Sequence, residues 1–290
     1  MPGTDDVATR PDPVGPPLAD AVHAALPPKS GEAQDFWREL RGSTQARIGL
    51  GRTGDALPTT EVLALRAAHA AARDAVHLPL DVASFTEQIA AVGLGAPVTV
   101  ASRAADRAEY LRRPDLGRLP ADLTAVAATG ADIGFVLADG LSPLALADHA
   151  RGLLTALAAE LGDRYTLAPP VIATQARVAL GDHIAAAMGV RTVLVLIGER
   201  PGLSVADSLG VYLTHLPRPG RADAERNCVS NIHPPDGLTY ADAARVVAGL
   251  VAGALALGRS GVDLKDTSRA GNLSAADTST IAAATDTEEH

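Results

Sequence analysis

Aromatic side chains are scarce in this chain, with three phenylalanines, four tyrosines and one tryptophan among 290 residues. Hydrophobic residues nevertheless make up 47% of the sequence, so the core has to be built from Ala, Val, Leu and Ile in closely approaching elements. Cysteine occurs once, at Cys228, which excludes an internal disulfide and points to a reducing compartment. There is no surplus of basic charge. The net charge of -9 is a poor match for a phosphate backbone or an anionic membrane face. The eight histidines are scattered, without an H-E-x-x-H motif or a cysteine cluster, which argues against a metal enzyme. No run of about 18 uninterrupted apolar residues is present, and Met1 to Arg10 carries acids instead of a secretory apolar stretch. A soluble, cytoplasmic protein is expected.

The composition shifts along the chain. Residues 1–34 hold seven prolines, all before Lys29, and read as a disordered Pro-rich arm in which only Ala19 to Leu26 has amphipathic character. Residues 35–130 read as a mainly helical N-terminal region, with a helix start at Pro58-Thr59-Thr60-Glu61. From 131 to 262 the texture changes to short apolar runs alternating with helical patterns. Ile133–Leu137, Pro170–Ala173, Thr192–Ile197 and Leu209–Thr214 are expected strands. Helices are expected after Ser142-Pro143, from Arg177 to Met188 and from Tyr240 to Leu257. The alternation predicts an α/β fold, Rossmann-like and doubly wound, with a mostly parallel sheet. Residues 263–290, poor in large apolar side chains, read as a disordered tail.

In such sheets ligands sit beyond the carboxyl ends of the strands. That rule selects Asp139-Gly140-Leu141-Ser142 and Gly198-Glu199-Arg200-Pro201-Gly202 as candidate site segments. A second candidate, Gly49-Leu50-Gly51-Arg52-Thr53-Gly54, matches G-x-G-x-x-G but follows a helical pattern, and Pro58 delays the next helix. A dinucleotide site needs a strand before the glycines and a helix opening on the last of them, so this is read as a turn between helices. Cys228 and His233 lie close enough in sequence for a cysteine hydrolase, but no orienting carboxylate stands out. Ser142 and Ser208 lack a G-x-S-x-G elbow. Taken alone, Glu199-Arg200 would be a surface ion pair and Cys228 a core residue.

Three segments carry a more specific signal. The first runs from Leu40-Arg41-Gly42-Ser43-Thr44 to Gly54, followed by Leu57-Pro58-Thr59; the second runs from Ser102-Arg103 through Tyr110 to Arg118. The third runs from Arg177-Val178 through Gly198-Glu199-Arg200-Pro201-Gly202-Leu203 and Asp207-Ser208-Leu209 to Ala224–His233. In order and spacing these resemble the small (light) subunit of ethanolamine ammonia-lyase, over roughly residues 36–258. The resemblance implies a subunit of an adenosylcobalamin-dependent enzyme that converts ethanolamine to acetaldehyde and ammonia. The substrate and radical chemistry would sit in a large (β/α)8-barrel partner. By matching motif, it places cobalamin contacts on Val178, Glu199 and Cys228, with no catalytic residue and no protein-supplied metal ligand. Gly198 and Gly202 would let the backbone approach the macrocycle closely. Asp148-His149 and Asp182-His183 lack the Asp-x-His-x-x-Gly spacing of a cobalt-ligating histidine, which suits a cofactor that keeps its own lower base. The helical region, with Arg41, Arg47, Arg52 and Arg73, is expected to dock on the barrel subunit. The other reading is an assembly subunit that touches no cofactor. An arm broken by prolines argues against delivery to a bacterial microcompartment.

Overall fold

The computed structural model describes residues 31–266; the arm before them, including Ala19–Leu26, and the tail from residue 267 lie outside the described residues. The chain divides into two compact units, with the boundary between residues 64 and 65, inside a helix. The described residues form seven α-helices and six strands.

The first unit contains α1 (Gly31–Gly42), the turn after it and the start of α2 (Thr59–His77). Gly49 has φ +59, and a side chain there would collide with the Trp37 ring. Arg41 of α1 donates to the Gly49 carbonyl at 2.7 Å. The glycine stretch is therefore a turn folded against α1, and the dinucleotide reading fails on structure as it does on sequence. As expected, α2 starts at Pro58-Thr59, with Glu61 in its first turn where the helix dipole favours an acid.

The second unit is built on one sheet with strand order β1-β3-β2-β4-β5-β6. The strands are β1 (Val98–Ala101), β2 (Ile133–Ala138), β3 (Val171–Thr174), β4 (Thr192–Gly198), β5 (Leu209–His215) and β6 (Asn227–Ile232). The first three pairings, β1–β3, β3–β2 and β2–β4, are parallel. The last two, β4–β5 and β5–β6, are antiparallel. The expected doubly wound, mostly parallel sheet is thus corrected to a mixed one. The connection from β4 to β5, residues 199–208, contains no helix, so the chain turns back beside the strand it has just left.

Helices cover both faces. On one lie α3 (Val82–Ala90), α5 (Pro143–Leu161) and α7 (Tyr240–Leu257), packed on Phe135, Leu137, Leu194, Leu196, Val211 and Leu213. On the other, Leu180, Ile184, Ala185 and Met188 of α6 (Leu180–Met188) meet Val136, Val193, Val195 and Ile197. Along β4, Leu194 and Leu196 point to the first face and Val193, Val195 and Ile197 to the second. This explains its unbroken apolar run: a strand buried on both sides needs hydrophobic residues at every position. By length and composition α7 is apolar enough to cross a membrane, but Ala243, Ala244, Val247 and Val251 are buried in this core. Such a helix is apolar because it packs against sheet and α5 together.

Two strands, β1 and β6, and the short α4 (Arg107–Arg112) carry no distinct mark in the sequence pattern. Both strands are sheet edges with largely exposed or half-buried positions, so neither has the apolar run that marks the central strands.

Candidate functional site

The carboxyl ends of β1 to β4 all point to the same edge of the sheet. The segments leaving those ends enclose an open cavity of about 370 Å³. Tyr110 comes from α4 after β1, Gly140 and Leu141 follow β2, Arg177 and Val178 follow β3, Ile197 to Arg200 end β4, and Tyr212 comes from β5. Both segments selected by the strand-end rule therefore contribute to its wall.

The floor depends on one close backbone approach. Gly198, the last residue of β4, lies so near the Ser142 carbonyl that a side chain would overlap it, and its own carbonyl accepts from Leu141 N at 2.9 Å. Ser142 caps α5, its hydroxyl accepting from Ala145 N at 3.2 Å while donating to the Ala206 carbonyl at 2.9 Å. One serine thus ties the β2–α5 turn to the 199–208 loop. The loop is further held where His149 Nε2 meets Asp207 at 3.3 Å, and His149 Nδ1 meets the Tyr240 hydroxyl at 2.8 Å.

Glu199 is half-buried, and its carboxylate accepts from the Ser208 hydroxyl at 2.6 Å and from Asn231 N at 3.4 Å. A Cβ at Gly210 would lie 2.8 Å from Oε1, so the absent side chain there leaves room for the carboxylate. The carboxylate is thus fixed by hydroxyl and amide donors, in place of the surface ion pair with Arg200 that an isolated reading suggests.

Val178 lines the same cavity and is partly buried against the α6 face of the sheet. Cys228 is exposed on β6, not in the core, and pairs across the ladder with Tyr212. Partial loss of solvent around its sulfur, with a smaller push from the nearby Glu199 carboxylate, raises the Cys228 thiol above its ordinary range against the opposing effect of the Tyr212 hydroxyl. The Tyr212 hydroxyl is itself pushed up to about 12, mainly by burial and then by Cys228. Both groups are therefore neutral near pH 7, and the thiol is a packing and weak hydrogen-bonding group instead of a nucleophile. His233, its partner in the hydrolase alternative, is buried and hydrogen-bonded to Asn231 Oδ1 at 2.8 Å. The structure thus puts Val178 and Glu199 on one wall and Cys228 one strand further out, joined to them through Tyr212.

Behind the cavity, Tyr110 is fully buried and donates to the Ala176 carbonyl at 3.0 Å. The guanidinium groups of Arg107 and Arg177 lie over its ring, 4.8 and 4.5 Å from the centroid. Burial raises the tyrosine's pKa well above normal, so it stays protonated. Arg107 is occupied by the carbonyls of Val76 and Gly140, at 2.7 and 2.8 Å, and by Asp139 at 3.7 Å. Asp139 accepts from the amides of Gln175 and Ala176 at 2.8 and 2.9 Å, which fixes the turn leading to Arg177 and Val178. Burial raises its carboxyl pKa against those donors.

Sequence reasoning missed Tyr110, Arg177, Ser208 and Tyr212 as parts of the site. Tyr110, Arg177 and Ser208 all fall inside the segments that carry the family resemblance. Tyr212 had no signal beyond its place in a strand. The role expected of Gly198, admitting a macrocycle, is corrected: its missing side chain makes room for Ser142, not for a ligand.

Among the described residues no group of three or more His, Cys, Asp or Glu side chains is placed to hold a metal ion. Fold and site together define an α/β protein with an open cavity at the carboxyl ends of its parallel strands, the place where such sheets bind ligands. Residues 34–265 match the family model described as Ethanolamine ammonia-lyase light chain (EutC). The chain is 67% identical over 247 residues to the ethanolamine ammonia-lyase small subunit of Rhodococcus erythropolis, covering 85% of this chain and 96% of that one. It is 47% identical over 242 residues to the protein of the same name from Ralstonia nicotianae, covering 80% and 89%. With that from Xanthomonas campestris pv. campestris the identity is 48% over 244 residues, covering 80% and 88%. This chain belongs to the ethanolamine ammonia-lyase small (light) subunit family.

Proposed function

We propose that the chain acts with a large barrel subunit as an adenosylcobalamin-dependent ethanolamine ammonia-lyase, and that the strand-end cavity covers part of the cofactor at the junction of the two. The carrying observation is the cavity's size and openness beside its rigid construction. Pockets of roughly 300–1,000 Å³ hold drug-sized ligands, and a corrinoid is larger. A wall of about 370 Å³ suits one side of such a group, with another chain covering the rest.

The residues present fit that task. A corrin periphery offers amide donors and acceptors around an apolar ring. Glu199 supplies a fixed acceptor, Val178 and Leu141 apolar contact, and Tyr212 a neutral polar edge, with Cys228 beside it on the next strand, outside the cavity's lining. Arg177 Nε is buried without a hydrogen-bond partner, a donor that suits an incoming acceptor oxygen. Adenosylcobalamin, when bound, supplies the radical chemistry. The contribution of this chain is to position the cofactor's periphery and exclude water.

The helical region supports the partner half of the reading. Of its 19 residues, α2 buries only Ala75, and Phe36, Leu57 and Leu63 are exposed in the first unit. Large apolar side chains left on helices suit a docking surface. Of the four arginines expected to dock, Arg41, Arg52 and Arg73 are exposed, Arg41 also donating to the Ile48 and Gly49 carbonyls and Arg73 lying 3.6 Å from Asp74.

Glu199→Ala in the assembled complex is expected to raise the Kd for cobalamin about 10-fold or more, as loss of a hydrogen bond to a charged group predicts. Absorbance titration with cyanocobalamin measures it. Unchanged affinity in a complex that still assembles would remove the cofactor role and leave an assembly subunit.

A further inference from the structure

Two cations line the cavity, and of them Arg200 is exposed, whereas Arg177 is half-buried without a hydrogen-bonding or ion-pair partner among the described residues. Its guanidinium lies 4.5 Å from the Tyr110 ring centroid, and Nε is buried without a hydrogen-bond partner. No carboxylate among the described residues lies within ion-pair distance of it. The other cation on that ring, Arg107, has two carbonyls and Asp139 and is not part of the cavity's lining, although its Nη2 is also buried without a partner. The cavity's acid, Glu199, is engaged by Ser208 and Asn231. A buried donor left unpaired is costly, and native proteins retain few of them without a partner or a purpose. The stack on Tyr110 holds the planar fork in one orientation before any ligand arrives, and the Asp139-braced turn at Gln175–Ala176 fixes the backbone that carries it.

We infer that Arg177 is a binding residue for an acceptor oxygen on the corrinoid's periphery, either the phosphodiester of the nucleotide loop or a side-chain amide carbonyl. This rests on the cobalamin reading above. A guanidinium recognises either oxygen through a fork that lysine lacks, and only the phosphodiester adds full charge complementarity. The aliphatic stem of Arg177 also packs at Gly117, so the side chain has a structural share that the test must separate from binding.

The test uses the full-length chain assembled with its large subunit, with cyanocobalamin and cobinamide, which lacks the phosphodiester and nucleotide, as probes in equilibrium dialysis. Arg177→Met keeps bulk over Tyr110 and is expected to raise the Kd for cyanocobalamin about 10- to 100-fold, the range for a lost hydrogen bond to a charged group. Arg177→Lys keeps the charge without the fork and is expected to raise it about 3- to 10-fold. If the contact is the phosphodiester, cobinamide binds wild type and variants alike; if it is an amide, cobinamide shows the same loss. Size-exclusion chromatography verifies assembly, and the lysine variant decides where the methionine variant fails to assemble. Cyanocobalamin Kd values within about twofold of wild type in assembled variants overturn the assignment. A wild-type complex that takes up neither corrinoid overturns the cobalamin reading itself, a distinguishable result.

Discussion

Asp182→Ala is expected to lower unfolding stability by about 3–5 kcal/mol, the cost of removing the buried partner of a buried charge. Asp182 on α6 and Arg226 just before β6 are each nearly inaccessible, with side-chain exposures of 1% and 2%. They form a two-pronged ion pair, Nη1 to Oδ1 at 2.8 Å and Nη2 to Oδ2 at 2.7 Å. The arginine also donates to Thr214 Oγ1 at 2.8 Å and to the Arg221 carbonyl at 3.0 Å, so it cannot swing out to water without breaking both. The pair joins the helix that follows Val178 to the strand that carries Cys228, the two outer parts of the site. Denaturant unfolding of the purified chain measures the loss, with Asp182→Asn expected to fall between because the amide keeps an acceptor. A midpoint shift equivalent to less than about 1 kcal/mol for the alanine variant would show that the pair contributes little.

Gly198→Ala is the second large effect. An added methyl has nowhere to go, because the atoms it meets are the Ser142 carbonyl and the backbone oxygen of Asp139 instead of a flexible side chain. Overpacking of this kind costs about 1–3 kcal/mol and more where backbone must move. Here the end of β4 would have to part from the β2–α5 turn, breaking the Leu141 N to Gly198 O bond and the capping arrangement at Ser142. The expected result is a stability loss near or above the upper end of that range, with weakened cofactor uptake because Gly140, Leu141 and Glu199 all move. Thermal unfolding beside the same change at Gly202 is the check. A Cβ at Gly202 comes no nearer than 3.4 Å to another atom, so the alanine there is expected to be nearly silent. Equal effects at the two positions would contradict the account.

The contrast between those two glycines shows where the sequence was legible. Both stand in one short motif and invite one purpose when read there, whereas the fold separates them by what lies within a few ångströms. The central strands could be read because burial on both faces leaves no polar position. Ile133–Ala138 and Thr192–Gly198 extend only one residue beyond the expected ends. Tyr240–Leu257 matched in full, since a helix packed on sheet and helix carries a long Ala/Val/Leu pattern. The expected start at Arg177 was early by three residues, because Arg177 to Ala179 form a turn before α6.

For β5 the direction, unlike the strand itself, was not legible. Leu209–His215 reads as a buried strand whichever way it runs, and only the helix-free connection from Glu199 to Ser208 decides that it runs antiparallel. The Tyr212–Cys228 contact depended on that direction and on the unrecognised strand Asn227–Ile232, so the neutral hydroxyl–thiol edge of the site could not be foreseen. Strand-end logic did locate Gly140, Leu141 and Glu199, because it depends only on where apolar runs stop.

Equilibrium dialysis of cyanocobalamin against this chain alone, the large subunit alone and their mixture tests the shared site most directly. Tight uptake is expected only from the mixture, since about 370 Å³ of open wall covers one side of a corrinoid at most. Uptake by the large subunit alone as tight as by the mixture would contradict it.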